Sequence, residues 1–336
     1  MKILNIMLSR TLGGIQQAFL DYDKALSMSD IEVINITAIG AKINDKISPL
    51  YKLCNLGSWD ISSAIYLWLI VKSTQPDMVI CHGRRAIDMC KFLKDKKIIG
   101  VAHNYGIKSL KQCDYVIALT KHMQQFLLKE GIKQAQIEVI PNMIELKEGL
   151  AERTFHNPVV IGTMARFVKK KGIDVLLQAL AILKDINYEF KVLVGGDGDE
   201  RPALEKLTKQ LGLKDYVTFS GWVNDKESFF KQIDIFCLPS THEPFGIIVL
   251  EAMSKSIPVV ATKSEGPAEI IKHNQDGLLC EIDSAEDLAE KIAYFIDNKD
   301  KARNYANMGY LRLQQNYTMS VVSLKLANFL KSIVKI

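Results

Sequence analysis

The strongest constraint on the fold is an alternation that runs once along the chain and then starts again. The apolar runs KILNIML (2–8), EVINITAI (32–39), DMVICH (77–82), KIIGVAH (97–103) and YVIAL (115–119) read as short strands. Helical stretches such as IQQAFLDYDKAL (15–26) separate most of them. Strands apolar throughout, rather than on alternate residues, are buried on both faces, as in a parallel sheet covered by helices. IEVIPN (137–142) reads as a last strand, and the polar stretch ELKEGLAERTFHNP (145–158) as the boundary after it. The pattern then resumes with the strand VVIGTMA (159–165), the helix GIDVLLQALAILKD (172–185) and the strand EFKVLVGGDG (189–198). RPALEKLTKQLGL (201–213) reads as a helix with Pro202 in its first turn, and YVTFSGWV (216–223), IDIFCLPS (233–240) and IPVVAT (257–262) as further strands. With 336 residues the chain has room for two such cores. The expectation is an α/β protein of two successive βα domains, 1–154 and 155–316, facing one another across a cleft. The amphipathic tail 317–336 is too short to stand alone and must pack on one of them. Ligands of open parallel sheets bind at the carboxyl ends of the strands, so functional residues are sought there.

Composition removes several function classes. The six cysteines are scattered and never form C-x-x-C, which speaks against a zinc site or a redox dithiol. The N-terminal apolar run is interrupted by Arg10, too soon for a signal peptide. AIYLWLIV (64–71) falls far short of the roughly 20 residues needed to span a bilayer. A cytoplasmic protein is expected, with peripheral membrane contact left open. Residues 1–150 hold 19 Lys/Arg against 14 Asp/Glu, a net of +5, whereas residues 151–336 are balanced at 24 of each. HGRRAIDMCKFLKDKK (82–97) concentrates the excess. It is either a solvated helix face or a basic surface for anionic lipid or an acidic acceptor. Basic residues are not interleaved with aromatics, so nucleic acid is not expected.

Four strand-to-helix junctions and one pair of histidines carry the candidate chemistry. In EPFGIIVLE (243–251), Glu243 precedes a helix N-terminus, whose free N–H groups suit a phosphate or another electron-rich ligand. Glu251 is expected about two turns further, roughly 12 Å along the axis, so only a long ligand would touch both carboxylates. The plain alternative is a helix-start acid and a surface acid. In ARFVKKKG (165–172), Arg166 and Lys171 offer a planar fork and a point charge that together neutralise a pyrophosphate, while Lys169 and Lys170 read as solvated. GGDGDER (195–201) places Gly196 and Gly198 in a turn, but Arg201 fills the third glycine position of a dinucleotide fingerprint. Gly13 and Gly14 form a turn after the first strand without the Gly-Lys-Ser/Thr of a P-loop. His82 and His103 both end strands at the ligand side. His103 is the candidate for catalysis, against the commoner structural role of a strand-end histidine. No G-x-S-x-G and no metal-spaced His/Asp cluster occurs.

These residues resemble the E-x7-E motif and its companions in the GT-B glycosyltransferases of family 4. The likeness runs in order from 137 to about 282, through the strand-end IPN, ARFVKKKG, GGDGDER, SGWV and CLPSTHEPFGIIVLEAMSKSIPVVAT to EGPAEIIKHNQDGLL. The N-terminal half is matched only by its Gly-Gly turn and His103. The resemblance implies two Rossmann-like domains, the first for an acceptor and the second for a nucleotide-sugar donor. It implies a UDP- or GDP-sugar, no metal, retention of anomeric configuration, and a last helix that crosses back to the first domain. Arg166 and Lys171 would clamp the diphosphate, and Glu243 would hold donor-sugar hydroxyls near the backbone of Phe245, Gly246 and Ile247. Glu251 would hold the ribose, Trp222 and Val223 would border the base, and Gly196 would line the donor site. Gly13, Gly14 and His103 would approach from the first domain. The implied reaction belongs to lipopolysaccharide or other surface-glycan synthesis. A sugar-nucleotide epimerase and a non-catalytic nucleotide-sugar-binding subunit stand as alternatives.

Overall fold

The computed structural model describes residues 1–10, 13–48, 50–55, 57, 60–146, 149–150 and 153–334. The chain divides into two compact units, Met1–Glu145 with Tyr317–Ile336, and Leu146–Asn316. Unit 1 contains β1 (Lys2–Met7), α1 (Gly14–Ser27), β2 (Glu32–Ala38), β3 (Leu50–Leu53), α2 (Ile61–Thr74), β4 (Met78–His82), α3 (Arg84–Cys90), β5 (Lys97–Ala102), α4 (Ile107–Leu110), β6 (Tyr115–Ala118), α5 (Lys121–Lys129) and β7 (Ile137–Val139). Unit 2 contains β8 (Val159–Met164), α6 (Ile173–Asp185), β9 (Phe190–Gly195), α7 (Arg201–Gln210), β10 (Val217–Gly221), α8 (Lys226–Lys231), β11 (Ile235–Leu238), α9 (Ile247–Ser254), β12 (Val259–Thr262), α10 (Glu265–Ile270), β13 (Leu278–Cys280), α11 (Ala285–Asp297) and α12 (Lys299–Asn316). The final helix, α13 (Met319–Val334), belongs to unit 1.

Every strand pair in both sheets is parallel. Sheet order is β3-β2-β1-β4-β5-β6-β7 in unit 1 and β10-β9-β8-β11-β12-β13 in unit 2. In each, the order reverses next to the unit's first strand, between β1 and β4 and between β8 and β11. Chain connections leave a parallel sheet in opposite directions at such a reversal, so the loops there part and open a crevice. The sheets are therefore Rossmann-like, and each has one crevice at its carboxyl edge.

The apolar strands are buried as their sequences require. In β1, Ile3, Leu4, Ile6 and Met7 are fully buried. Leu4, Ile6, Val79 and Cys81 pack with the inward residues of α2, α3 and α5. Met7 packs instead with Phe19 of α1. In unit 2, Ile161, Val192, Val194 and Ile235 pack with Leu176, Leu180 and Leu183 of α6 and with Leu288, Ile292 and Phe295 of α11. Helix starts are set by local capping. Asp60 accepts from the Ser63 N–H at 3.0 Å, Thr120 from Met123 at 3.0 Å and Ser284 from Asp287 at 3.2 Å. α13 buries Met319, Val322, Leu326, Leu330 and Ile333 along one face and packs on α1. A bridge at the start of α13 fixes its entry: Ile144 N–H donates to Tyr317 and Met319 N–H donates to Ile144, at 3.0 and 2.9 Å.

Candidate active site

At the carboxyl edge of unit 2, four strand-to-helix loops lie directly on one another, and glycines allow it. Gly172 has φ +61°, and a side chain there would bring Cβ to 2.0 Å from the Pro239 carbonyl. Gly196, at φ +126°, would bring Cβ to 1.8 Å from the Ala165 carbonyl, and Gly266 to 2.0 Å from that of Phe245. Hydrogen bonds complete the seams: Phe167 N–H to Asp197 at 2.9 Å, Thr241 N–H to Lys170 at 2.9 Å, and Gly266 N–H to Glu243 at 2.8 Å. Gly196 and Gly198 thus serve first to bring the β9–α7 loop against the β8–α6 loop. Val223 packs where a side chain on Gly195 would lie, and Trp222 beside it is half exposed.

This stitched edge holds the charged residues singled out by sequence. Lys171 Nζ donates to Glu243 Oε2 at 2.5 Å across the β8/β11 switch point, and the two side chains are only 19% and 14% exposed. Arg166 stands exposed in the same loop and makes no side-chain hydrogen bond or ion pair among the described residues. Lys169 is exposed and pairs with Asp174. Glu243 is held from behind: its N–H donates to Glu265 Oε2 at 3.0 Å, while Glu265 Oε1 meets His242 Nδ1 at 2.5 Å. Burial pushes the Glu265 carboxyl up, but N–H donors and His242 outweigh it and hold the group below the usual carboxylate range.

The spacing of the two motif carboxylates differs from expectation. Gly246 has φ +91° and ends the loop, so α9 begins at Ile247 and Glu251 is its fifth residue, a little over one turn in. Its side chain is mostly buried and occupied: Lys226 Nζ donates to both carboxylate oxygens, at 2.6 and 2.8 Å. Lys226, His242 and Glu265 were not picked out from sequence. The acid at the start of EGPAEI marks a helix N-terminus and was the one local signal for Glu265. Lys226 and His242 carry no such signal.

In unit 1 the switch point lies between the ends of β1 and β4. Gly13, in extended backbone, leads directly into α1, of which Gly14 is the first residue. Gln16 in the first turn is buried, its amide directed at Met7 Sδ 3.8 Å away. The sequence treated His82 and His103 separately, but the sheet stacks them. His82 Nδ1 lies 3.0 Å from His103 Nε2, with the rings 26° from parallel. The Phe19 and Tyr22 rings stand nearly perpendicular to His82, with centroids 5.6 and 4.8 Å away. His82 Nε2 and the Tyr22 hydroxyl are buried without a hydrogen-bond partner among the described residues. Burial pushes His103 down to about 4, and burial together with His103 holds His82 well below its ordinary value. Both rings are therefore neutral at pH 7, sharing one hydrogen bond, which leaves Nδ1 of His103 for a ligand. Among the described residues no three His, Cys, Asp or Glu side chains are grouped as metal ligands.

Family models match both units of the chain. The family model described as "Glycosyl transferases group 1" matches residues 150–312, and that described as "Glycosyltransferase Family 4" matches residues 12–148. The lipopolysaccharide core biosynthesis glycosyltransferase LpsE of Rhizobium meliloti is 27% identical over 324 residues, which is 93% of this chain and 94% of the relative. LpsD of the same organism is 34% identical over 189 residues, 54% of this chain and 53% of the relative. Among solved structures, Anabaena HepE in complex with UDP and glucose superposes with TM-score 0.84 at 20% identity, over 99% of this chain and 100% of the other. The lipopolysaccharide outer core galactosyltransferase WaaB superposes with TM-score 0.78 at 20% identity, over 98% of this chain and 100% of the other. At these identities the structural likenesses show the fold alone. The chain belongs to family 4 of the glycosyltransferases and has the GT-B fold.

Proposed function

We propose that this glycosyltransferase moves a sugar from a nucleotide-diphosphate sugar, a UDP- or GDP-sugar, to a glycan or glycolipid acceptor of lipopolysaccharide or another surface glycan. The reaction retains anomeric configuration and uses no metal ion. The observation that carries the reading is the Lys171–Glu243 pair at the switch point of unit 2, with Arg166, unpaired among the described residues, in the same loop as Lys171. A diphosphate brings negative charge to a place already set with two cations, one of them without a counter-ion. The acceptor class draws support from the names of LpsE and LpsD, and the donor from the UDP and glucose bound by HepE.

In this reading Arg166 and Lys171 hold the diphosphate, and their charge stabilises it as the bond to the anomeric carbon breaks. Glu243, its carboxylate fixed by Lys171 and its backbone by Glu265, accepts hydrogen bonds from donor-sugar hydroxyls. The backbone of Phe245, Gly246 and Ile247 lies beside it. Glu251 takes the ribose and Trp222 and Val223 border the base. Gly13 and Gly14 belong to the same reading as donor-binding residues, and His103 as a catalytic one. The acceptor oxygen attacks the face from which the diphosphate departs. A departing phosphate oxygen takes the acceptor's proton, so no protein nucleophile is needed, and the residues contribute orientation and charge. Peripheral contact of unit 1 with the anionic cytoplasmic face of a membrane belongs to the same reading. No helix among the described residues is long and apolar enough to cross a membrane.

The test is incubation with UDP-, GDP- and ADP-sugars without acceptor. Slow release of free nucleotide with one donor is the expected result. An isomerised sugar nucleotide would mean an epimerase, and binding without turnover a non-catalytic subunit.

A further inference from the structure

We propose that the outward face of α2, on the same side of the unit 1 sheet as Phe92, is a lipid-docking surface that seats unit 1 on an anionic membrane. The inference rests on the peripheral membrane contact just proposed and says which surface makes it. α2 buries Ser63, Leu67, Ile70 and Val71 against the sheet. Its opposite side is not polar, as a surface helix of a globular protein would be. Ile61, Ile65, Trp68 and Leu69 are 73%, 57%, 48% and 51% exposed and, at three- and four-residue spacing, share that side. Tyr66 adds a further exposed ring at its margin. The helix contains no acidic residue. A contiguous patch of this kind marks an interaction surface rather than scattered exposure.

Charge identifies the partner. The inward residues of α2 and α3 pack in one core cluster with Leu93, so both helices cover the same side of the sheet. On that side Phe92 is 62% exposed, and Arg84, Arg85, Lys91, Lys94 and Lys97 are exposed in the same segment 84–97, where they outnumber Asp88, which pairs with Arg84, and the exposed Asp95. Lys72 Nζ lies 5.7 Å from the Trp68 ring centre, and Lys91 Nζ 4.9 Å from that of Phe92. Aromatic rings paired with long cationic stems suit the boundary between acyl chains and headgroups, where the stem stays apolar and the charge reaches phosphate. A second copy placed on this face would bring the same cations together, whereas an anionic bilayer neutralises them. With 14 residues α2 is about 21 Å long, too short to cross the bilayer, so it lies in the plane of the interface.

The full chain is floated with vesicles of phosphatidylcholine, with and without phosphatidylglycerol, at low and high salt, beside the variant Ile65→Ser/Trp68→Ser/Leu69→Ser. The side chains changed are about half exposed, so the variant should fold. Insertion of each contributes roughly a factor of five, and the variant should lose about 100-fold in partitioning. Wild-type protein should bind phosphatidylglycerol vesicles, bind more weakly at high salt, and have its tryptophan fluorescence quenched by brominated lipid. No flotation, no quenching, or equal binding by the variant overturns the proposal. So does a wild-type dimer that the variant dissociates, because a second copy would then cover the face. Release of nucleotide from the soluble donor should be equal in both proteins. Its absence from both, with vesicle binding intact, would refute the transferase reading and leave this surface standing.

Discussion

Removing the cation of the Lys171–Glu243 pair separates its structural from its chemical contribution. Lys171→Met keeps the length of the stem but leaves the Glu243 carboxylate, 14% exposed, without its partner at 2.5 Å. Breaking a fully buried pair costs about 3–5 kcal/mol. Each group here keeps some contact with water, so about 2–3 kcal/mol is expected. Glu243→Gln strands the ammonium instead, at a similar or smaller cost because the lysine can reach solvent. In Lys171→Met/Glu243→Gln neither charge remains, and stability should return to within about 1 kcal/mol of wild type, a coupling of about 2 kcal/mol. Hydrogen exchange at β11, next to the pair, reads unit 2 directly and avoids assuming one transition for a two-unit chain. Donor turnover should stay depressed about 100-fold or more in all three proteins, because stability is restored by removing the charges that the reaction uses. A double variant that regains turnover would make the pair a purely structural contact. A cost under about 0.5 kcal/mol in Lys171→Met would refute the buried geometry itself.

Arg166→Ala should leave stability within about 0.5 kcal/mol of wild type, since the side chain is exposed and unpaired, while kcat falls about 100-fold; equal turnover removes it from the site. Gly172→Ala should destabilise unit 2 by about 3 kcal/mol or more, because φ is +61° and Cβ would meet the Pro239 carbonyl at 2.0 Å. Gly212→Ala, at φ +65° with the Lys184 ammonium rather than backbone 3.1 Å from the added Cβ, should cost about 1 kcal/mol, and equal losses would refute the packing argument. For the histidine pair, folding holds both rings neutral, whereas unfolded histidine takes a proton near 6.5. The unfolded state then binds more protons, so stability is full above about pH 7 and falls as pH drops through 6.5 toward 4, by up to about 1.4 kcal/mol per unit per ring. Exchange at β4 and β5 measures this, His82→Asn should flatten the slope, and a level wild-type profile from pH 7 to 5 contradicts the neutral pair.

The alternating architecture was legible because parallel strands, buried on both faces, appear as apolar runs that need no partner to be recognised. β3 and β13 were not anticipated. Each is a short edge strand of four and three residues respectively, and its pairing, rather than any local period, makes it a strand. Arg166, Lys171 and Glu243 stand out by their place at strand-to-helix junctions, and Glu251 by its spacing from Glu243. The depth of Glu251 was misjudged because the left-handed turn at Gly246, which sets where α9 starts, allows several helix starts when read locally. AIYLWLIV was recognised only as too short to cross a bilayer. Apolar spacing does not say which side of a helix the sheet covers.

Sequence by itself determined two α/β units and the residue types at the strand ends. Those follow from interactions within a few residues: apolar runs, helix starts and glycine turns. Tertiary structure decided which of them meet. Lys171 and Glu243 are 72 residues apart and touch because β8 and β11 are neighbours at the reversal of strand order. His82 and His103 pair because β4 and β5 are neighbours, and Lys226 reaches Glu251 from α8, 25 residues earlier. Strand order is set by how the whole sheet buries its two faces, a sum over distant contacts that no single segment carries.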